Sequence, residues 1–428
     1  MLDLRNKTAH VIRIVASLLL CSAFALLVPL GSFAGDKKKA KATDKSGAAP
    51  KVIDYSNIVW PNPPAIARIR YVNWFASEQQ QRNQQGNVQK KSKWMDRLAG
   101  TQTQEEKLQL PFSLIQPNGM AIDSKGQVYI ADSKVGAVFV VNPETRENDM
   151  LKHGVHGNFT HIVGLAMDDN DTLFISDPVL RHVLVLNAQH KAVDVITQDM
   201  VRPTGLAIDT KNRLLYVADT DRDQVLVFDA DSFKPLRKIG STGHNHELST
   251  PGDFSKPTGL TVDEEGNLYV CDTMNNRIEV FDADGTFLQA YGKNGDAPPN
   301  FARPKGVAID SDGHIWVADG VQDRVSVFNK EWHLLISIGG HGLAPGQFQG
   351  LENIISDNKR NRMYTTEIYP GRMQEFRYVT DAEADQLRKE REAQRAADAP
   401  KRSGTATASA SASTPAPESQ KPAPPPKP

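Results

Sequence analysis

The sequence predicts an all-β fold, a six-bladed β-propeller whose ring is closed by an N-terminal strand. The first observation behind this prediction is a repeat. The pair Gly-x-x-x-Asp recurs from Gly119/Asp123 to Gly306/Asp310, and a sixth copy has Asn353 in place of the glycine. Successive Asp positions differ by 41 to 54 residues, a period typical of propeller blades. The second observation is that each repeat divides into short apolar segments separated by polar turns.

One repeat shows the predicted strands clearly. Pro257–Asp282 reads PTGLTVDEEGNLYVCDTMNNRIEVFD, and the strands GLTVD, LYVCD and RIEVFD are separated by the turns EEGN and TMNN. A fourth strand, TFLQAYG, follows an Asp-Gly turn of the kind that tight hairpins need. The strands are apolar on both faces, as in VLVFD at Val225–Asp229. Such strands belong to a sheet that lies between two others, and a closed ring of blades supplies that environment.

The sixth repeat ends near Tyr378 after three predicted strands. The segment Ile66–Phe75 alternates like a strand and precedes the first repeat, so we expect it to supply the missing outermost strand. The propeller is therefore predicted over 60–378, with an insertion at 76–110 that holds one short helix, KWMDRLAG.

The N-terminus predicts export. An apolar run within residues 1–34 ends in Ser32-Phe33-Ala34, which places small residues where a signal peptidase reads them. We expect cleavage after Ala34 and residence in the periplasm, outside the cell or on its surface, with no transmembrane segment left. A permanent membrane anchor and a lipoprotein attached through Cys21 are the alternatives.

Three further segments are predicted to lie outside the propeller. Residues 35–59 read as a flexible spacer and 379–398 as a polar helical segment. The Ala/Ser/Pro/Lys-rich tail, 399–428, is predicted to be disordered because it has too little apolar surface to bury. The chain carries 50 basic and 51 acidic residues, and this balance opposes a nucleic-acid partner.

The repeat PTGLTVDEEGNLYVCDTMNNRIEVFDADGTFLQAYG resembles the NHL repeat. The wider arrangement, with a WPxPP-type lead-in, an Arg-Ile-Arg-Tyr strand and a Trp-containing helix, resembles exported bacterial six-bladed NHL proteins. This resemblance covers Ile66–Tyr378 and implies a binding platform more often than an enzyme.

In a propeller, the loops entering the innermost strands gather around one mouth of the central channel, where ligand sites are favoured. The residue before each marker glycine therefore points to a candidate site, and basic residues precede the loop prolines nearby. We predict ligand or partner binding by Asn118, Thr204, Thr258, Lys305, Glu352, Arg202 and Arg303. The linkers Asn148–Ile162, Gly240–Lys256 and Gly292–Arg303 would add specific contacts.

A metal site at the same mouth is the alternative. Calcium-dependent propeller hydrolases of the gluconolactonase kind need several converging oxygens, and here only Asn118, Glu352 and Asn353 offer them. Zinc or copper would need histidines, as in amidating-lyase-like propellers. The secondary candidates for such ligands are His161, His244, His246 and His341.

The sequence therefore predicts an exported scaffold that binds a protein or peptide in the cell envelope at its channel mouth, without a cofactor. The alternative is a metal-dependent lyase or hydrolase with its site at the same mouth. The recurring Asp after the second strand, as in Asp132 and Asp319, is predicted to be structural, because a short carboxylate there accepts N–H groups of the following turn. The oligomeric state is left open.

Overall fold

The computed structural model describes residues 54–77, 113–151, 153–154, 157–240 and 250–398 of the 428-residue chain. Within these ranges the chain forms a six-bladed β-propeller, as predicted. Each blade is an antiparallel sheet whose strands run in order from the channel to the rim. The innermost strand of each blade contacts that of the next, and the last contacts the first, so the ring is closed.

The described chain begins with two short N-terminal strands, which are followed by blades 1 and 2. A short hairpin, β7 with β8, lies between these two blades. The bounds are β1 (Val59–Trp60) and β2 (Ile69–Phe75); blade 1 with β3 (Pro117–Ile122), β4 (Val128–Asp132), β5 (Ala137–Val141) and β6 (Asn148–Leu151); β7 (His153–Gly154) and β8 (Gly157–Asn158); and blade 2 with β9 (Leu165–Met167), β10 (Leu173–Asp177), β11 (His182–Leu186) and β12 (Ala192–Ile196).

The other four blades follow the same plan, and a helix follows the last strand. The bounds are blade 3 with β13 (Pro203–Asp209), β14 (Leu214–Asp219), β15 (Gln224–Asp229) and β16 (Pro235–Ile239); blade 4 with β17 (Pro257–Val262), β18 (Leu268–Asp272), β19 (Arg277–Phe281) and β20 (Phe287–Tyr291); blade 5 with β21 (Pro304–Ile309), β22 (Ile315–Asp319), β23 (Arg324–Phe328) and β24 (Leu334–Gly339); blade 6 with β25 (Leu351–Asp357), β26 (Arg362–Glu367) and β27 (Arg372–Tyr378); and α1 (Asp381–Asp398).

The hydrophobic core is divided among the seams between blades. In the described residues, a separate buried cluster fills each of the six seams. Between blades 3 and 4, for example, Tyr216 and Val227 pack with Phe254 and Val270. Both faces of each middle strand are therefore buried, which explains why these strands are apolar throughout.

The marker glycine permits the innermost strands to approach one another closely. A Cβ on Gly119 would lie 2.5 Å from the carbonyl oxygen of Val163 in the next blade, and a Cβ on Gly205 would overlap the carbonyl oxygen of Thr258. The amide of Gly119 also donates a hydrogen bond to Val163 O at 2.8 Å. The repeat therefore keeps glycine where backbone meets backbone across a seam.

Threonine hydroxyl groups also form hydrogen bonds across several seams, close to the innermost strands. Thr220 donates to Pro257 O at 2.7 Å, Thr273 donates to Pro304 O at 2.8 Å, and Thr366 of blade 6 donates to Asn118 O of blade 1 at 2.6 Å. These bonds satisfy backbone carbonyls that would otherwise be buried without a partner.

The ring is closed as predicted, by an N-terminal strand. Strand β2 pairs antiparallel with β27 from Ile69↔Tyr378 to Phe75↔Met373, and β1 adds a fifth strand outside it. The ring of Tyr71 packs edge-on against Phe376, with centroids 5.5 Å apart. The folded body is thus held by pairing residues from opposite ends of its sequence.

The element boundaries differ from the sequence expectations in two places. The segment assigned to the spacer includes Tyr55, whose ring packs against Tyr71, and Val59 in β1. The first inter-blade linker is shorter than predicted, because Asn148–Leu151 forms the outermost strand of blade 1. The helix α1 lies within the segment predicted to be helical. The predicted signal peptide, the tail and nearly all of the 76–110 insertion lie outside the described residues, and no helix in the described part is long and apolar enough to cross a bilayer.

The close approach of innermost strands predicts that Gly205→Ala destabilises the protein by about 2–4 kcal/mol, because the new methyl group meets a backbone carbonyl that side-chain movement cannot clear. Chemical denaturation measures this loss. Asn353→Ala, at the equivalent position of blade 6, is the matched control and should cost less than about 1 kcal/mol. Equal losses at the two positions would contradict the assigned role of the glycine.

Candidate functional site

The innermost strands enclose a central channel with a volume of about 400 Å³. The repeat predicts that the residue before each marker position lies at one mouth of this channel, and the structure brings all six together in the channel lining. They are Asn118, Val163, Thr204, Thr258, Lys305 and Glu352. The other residues that line the channel are mostly apolar and include Met120, Leu206 and Ile354, whose side chains are buried in the seams.

The charged part of the lining is a single ion pair. The ammonium group of Lys305 contacts the carboxylate of Glu352, with side chains that are 27% and 14% exposed. Burial raises the pKa of the Glu352 carboxyl, although the neighbouring ammonium group of Lys305 acts in the opposite direction. The pair links blades 5 and 6 at the mouth. The negative charge of the largely buried Glu352 carboxylate is balanced by the ammonium group of Lys305.

Both threonines of the predicted site use their hydroxyls in hydrogen bonds close to the seams between blades. The Thr204 hydroxyl lies 2.5 Å from that of Thr220, and the Thr258 hydroxyl lies 2.6 Å from that of Thr273. Thr258 also donates to the carbonyl oxygen of Lys305 at 3.2 Å. The Thr258 hydroxyl therefore bonds across the seam between blades 4 and 5. The Thr204 hydroxyl bonds within blade 3 and reaches blade 4 only through Thr220, which donates to Pro257 O.

Asn118 presents an amide at the same mouth. Its side-chain oxygen is buried and has no hydrogen-bond partner among the described residues. Its backbone carbonyl accepts the bond from Thr366 that ties blade 6 to blade 1. Asn118 therefore has hydrogen-bonding capacity left over that its structural role does not use.

The donor set does not fit a calcium ion. Calcium takes six to eight oxygen ligands, several of them carboxylates. Here Glu352 is the one carboxylate in the ring of six mouth residues, and the cation that neutralises it is Lys305. A lysine ammonium group stands where a metal would have to be held, so no step of chemistry is assigned to calcium in this channel.

The histidine candidates are not brought together in the described part of the chain. His161 uses its backbone amide to donate to Asp177 at 3.2 Å, and His341 is an exposed side chain whose Nδ1 lies 2.7 Å from Asp323. His244 and His246 lie outside the described residues. No group of three or more metal-ligating His, Cys, Asp or Glu side chains occurs among the residues that the structure describes.

The recurring Asp after the second strand is structural, as predicted, and does more than support the following turn. Asp319 accepts the amides of Val321 and Gln322 in its own turn, and also those of Ala302 and Arg303 in the loop that enters the blade. The same carboxylate thus joins two segments of the channel-mouth surface. We define the mouth face as the loops entering the innermost strands together with the turns between second and third strands.

Arg202 and Arg303 lie on the mouth face but outside the channel lining. Both side chains are exposed, and neither makes an ion pair with a described residue. The corresponding Lys256 pairs with Asp221 at 3.1 Å. Of the three basic residues that precede the loop prolines, Arg202 and Arg303 are therefore exposed and unpaired among the described residues, and Lys256 is neutralised.

The mouth face also carries exposed apolar side chains, which the sequence analysis missed. Each of six such residues has 50–63% of its surface exposed. We call this set the crescent: Ile115, Val179, Met274, Val321, Leu343 and Tyr369. A signal was available in the sequence, because Val179, Met274, Val321 and Tyr369 all stand two residues after the acidic residue that ends the second strand. Polar residues are the usual choice in such turns.

Two family models match parts of this chain. Residues 114–141 and 301–328 match the NHL repeat, and residues 176–297 match the family described as SMP-30/Gluconolactonase/LRE-like region. Blades 1 and 5 therefore match the NHL repeat. The gluconolactonase of Zymomonas mobilis is 25% identical over 199 residues, which are 42% of this chain and 55% of that protein. The NHL repeat-containing protein 2 of Bos taurus is 29% identical over 175 residues, 39% of this chain and 21% of that protein. The chain thus spans about half or less of these relatives.

Solved structures show the same fold at low identity. A Bacteroides thetaiotaomicron protein of unknown function has a TM-score of 0.50 at 15% identity and covers 62% of this chain and 70% of its own. A gluconolactonase from Xanthomonas campestris has a TM-score of 0.47 at 20% identity, covering 62% and 88%, respectively. A virginiamycin B lyase from Staphylococcus aureus has a TM-score of 0.46 at 11% identity, covering 63% and 84%. At these identities the likeness concerns the fold alone.

The ion pair at the mouth predicts a pH-dependent loss of stability in Lys305→Met. Without the ammonium group, Glu352 is left partly buried and uncompensated, so we expect a loss of roughly 1–2 kcal/mol at pH 8. Because the folded-state pKa of Glu352 is raised, the loss should shrink as the pH falls and the carboxyl becomes protonated. Denaturant titrations at pH 5 and pH 8 measure both effects.

Two controls accompany this prediction. Lys330→Met removes a lysine from a surface pair with Glu265, whose side chains are 59% and 58% exposed, and should change stability little. The double variant Lys305→Met/Glu352→Gln should regain most of the lost stability. A pH-independent loss, or no recovery in the double variant, would contradict the role assigned to the pair.

Proposed function

We propose that this protein is an exported NHL-type propeller that binds a protein or peptide partner through its mouth face. The observation that carries the proposal is the uneven distribution of exposed apolar side chains. Seven of the twelve large exposed apolar residues in the described part lie on the mouth face, and the other five lie on outermost strands. The described turns of the opposite face hold none of them. Concentrated exposed apolar surface is typical of interaction sites.

The crescent is held on rigid turns, which favours recognition. The amide of Tyr369 donates to Gln349 O at 3.1 Å and that of Ile368 donates to Gly350 O at 2.9 Å. Neighbouring Arg372 donates to Leu343 O at 2.8 Å. A partner would therefore meet preformed anchors and lose little loop freedom on binding, and exposed tyrosine is a residue type enriched at binding hot spots.

A metal-assisted hydrolase or lyase is the second candidate, because residues 176–297 match a family whose description includes gluconolactonase. The mouth opposes this candidate, since its carboxylate is already paired with Lys305. Elemental analysis of the purified protein separates the two functions. Stoichiometric calcium or zinc, together with lactone hydrolysis that Glu352→Gln abolishes, would favour the enzyme over the binding module.

Photo-crosslinking in the cells that produce the protein tests the binding function. A photoreactive phenylalanine analogue replaces Met274, Val321 or Tyr369 on the mouth face, and the matched controls carry it at Leu236 or Leu288 on outermost strands. We expect one discrete crosslinked product from the mouth-face positions. The mature N-terminus, read by mass spectrometry, is expected at Gly35.

The same experiment can reject the proposal. Crosslinks that form at Leu236 or Leu288 and not at the mouth-face positions would place the working surface on the rim. An unprocessed N-terminus starting at Met1 would reject cleavage after Ala34 and favour the membrane-anchor alternative, while leaving the binding surface open to its own test.

A further inference from the structure

The mouth face carries exposed basic side chains in addition to the crescent. In its described loops and turns, five exposed basic side chains make no ion pair: Lys134, Arg181, Arg202, Lys293 and Arg303. Among the exposed acidic side chains of the same described segments, Asp296 is the one that makes no ion pair. The other exposed acids of this surface, Asp199 and Asp221, already pair with Arg222 and Lys256, respectively. In the described part of the mouth face the uncompensated charge is therefore positive, although the whole chain is nearly neutral.

The basic and apolar side chains are arranged in neighbouring pairs. Asp132, which is fully buried, accepts the amide of Ile115 at 2.7 Å with one oxygen and the amide of Lys134 at 3.0 Å with the other. Ile115 is apolar and exposed, and Lys134 is basic and exposed. One buried carboxylate thus fixes an apolar anchor beside a cation.

The same construction recurs in other blades. Asp319 accepts the amides of Val321 and Arg303, each at 3.0 Å. Asp177 accepts the amide of Val179 at 3.0 Å, and Arg181 follows two residues later in the same turn. Although burial raises the pKa of Asp177, hydrogen bonds from Thr160, Leu180 and His161 hold it below its usual value. The buried acidic residue thus holds both members of the pair in blades 1 and 5, and holds Val179 in blade 2.

We propose that the mouth face recognises an extended acidic segment of a partner protein in which apolar side chains alternate with carboxylates. This inference rests on the proposed binding function and specifies the partner. The apolar side chains of the segment pack on Ile115, Val179 and Val321, and its carboxylates lie beside Lys134, Arg181 and Arg303. Charge complementarity of this kind sets orientation and selects against basic competitors, while apolar contact supplies most of the affinity.

Three fluorescein-labelled 12-residue peptides test the inference by fluorescence anisotropy against the full-length protein. They consist of Glu-Leu-Pro, Lys-Leu-Pro and Glu-Ser-Pro repeats. We expect the Glu-Leu-Pro peptide to bind at least tenfold more tightly than the other two, and its affinity to fall several-fold between 50 and 300 mM salt because the charge contacts are exposed. An unlabelled 12-mer of thymidine should not displace the Glu-Leu-Pro peptide.

Paired substitutions locate the site. Lys134→Glu/Arg303→Glu should weaken Glu-Leu-Pro binding at least tenfold and improve Lys-Leu-Pro binding, and Ile115→Ser/Val321→Ser should weaken the former alone. Lys125→Glu/Lys359→Glu changes exposed lysines in turns of the opposite face and should leave affinity within twofold. All substituted side chains are exposed, and unchanged thermal unfolding midpoints verify folding.

The outcomes separate this inference from the function on which it rests. Absence of Glu-Leu-Pro binding, equal binding of Lys-Leu-Pro, or equal competition by the thymidine 12-mer would overturn the acidic-segment inference. If crosslinks at Val321 and Tyr369 still form in cells, the binding function stands with a different partner chemistry. If crosslinks form only at Leu236 or Leu288 on the outermost strands, both the binding function and the acidic-segment inference are rejected.

Discussion

The close contact between neighbouring innermost strands is the constraint on which the rest of this structure depends. Backbone meets backbone across each seam, as where Gly119 lies against Val163 O, and this approach fixes the channel radius. It also brings one residue from every blade to the same mouth. The seam hydroxyls of Thr220, Thr273 and Thr366 stabilise the arrangement by satisfying carbonyl groups at the same level.

Ring closure turns these local contacts into a rigid platform. Because β2 pairs with β27, no blade lacks a neighbour, and the loops of the mouth face are held on a framework that cannot open at one seam alone. The buried carboxylates extend that rigidity outward. Asp132 and Asp319 each bind both a turn and an entering loop, so the exposed side chains beside them keep a fixed spacing. A partner that binds as we propose would meet preformed anchors on this framework.

Much of the fold could be predicted from the sequence, because the repeat marks each blade and the segment Ile66–Phe75 contains β2, the strand that the sixth repeat lacks. The structural role of Asp319 could be predicted for the same reason. The role of Thr258 could not, since its hydroxyl bonds to Lys305 O, a residue of the next blade whose proximity depends on the seam geometry. The pairing of Lys305 with Glu352 joins residues of different blades. The crescent was visible in the sequence as Val179, Met274, Val321 and Tyr369 at one repeat position, but its exposure needed coordinates.

We propose the mouth face as the working surface of the protein. Hydrogen–deuterium exchange of the full-length protein, alone and bound to the partner recovered by crosslinking, tests this most directly. We expect amide protection on binding at 177–181, 319–323 and 367–371, the turns that carry Val179, Val321 and Tyr369, with no change at 168–172 and 263–267 on the opposite face. Protection at the opposite-face turns, with none at the three mouth-face turns, would contradict the account.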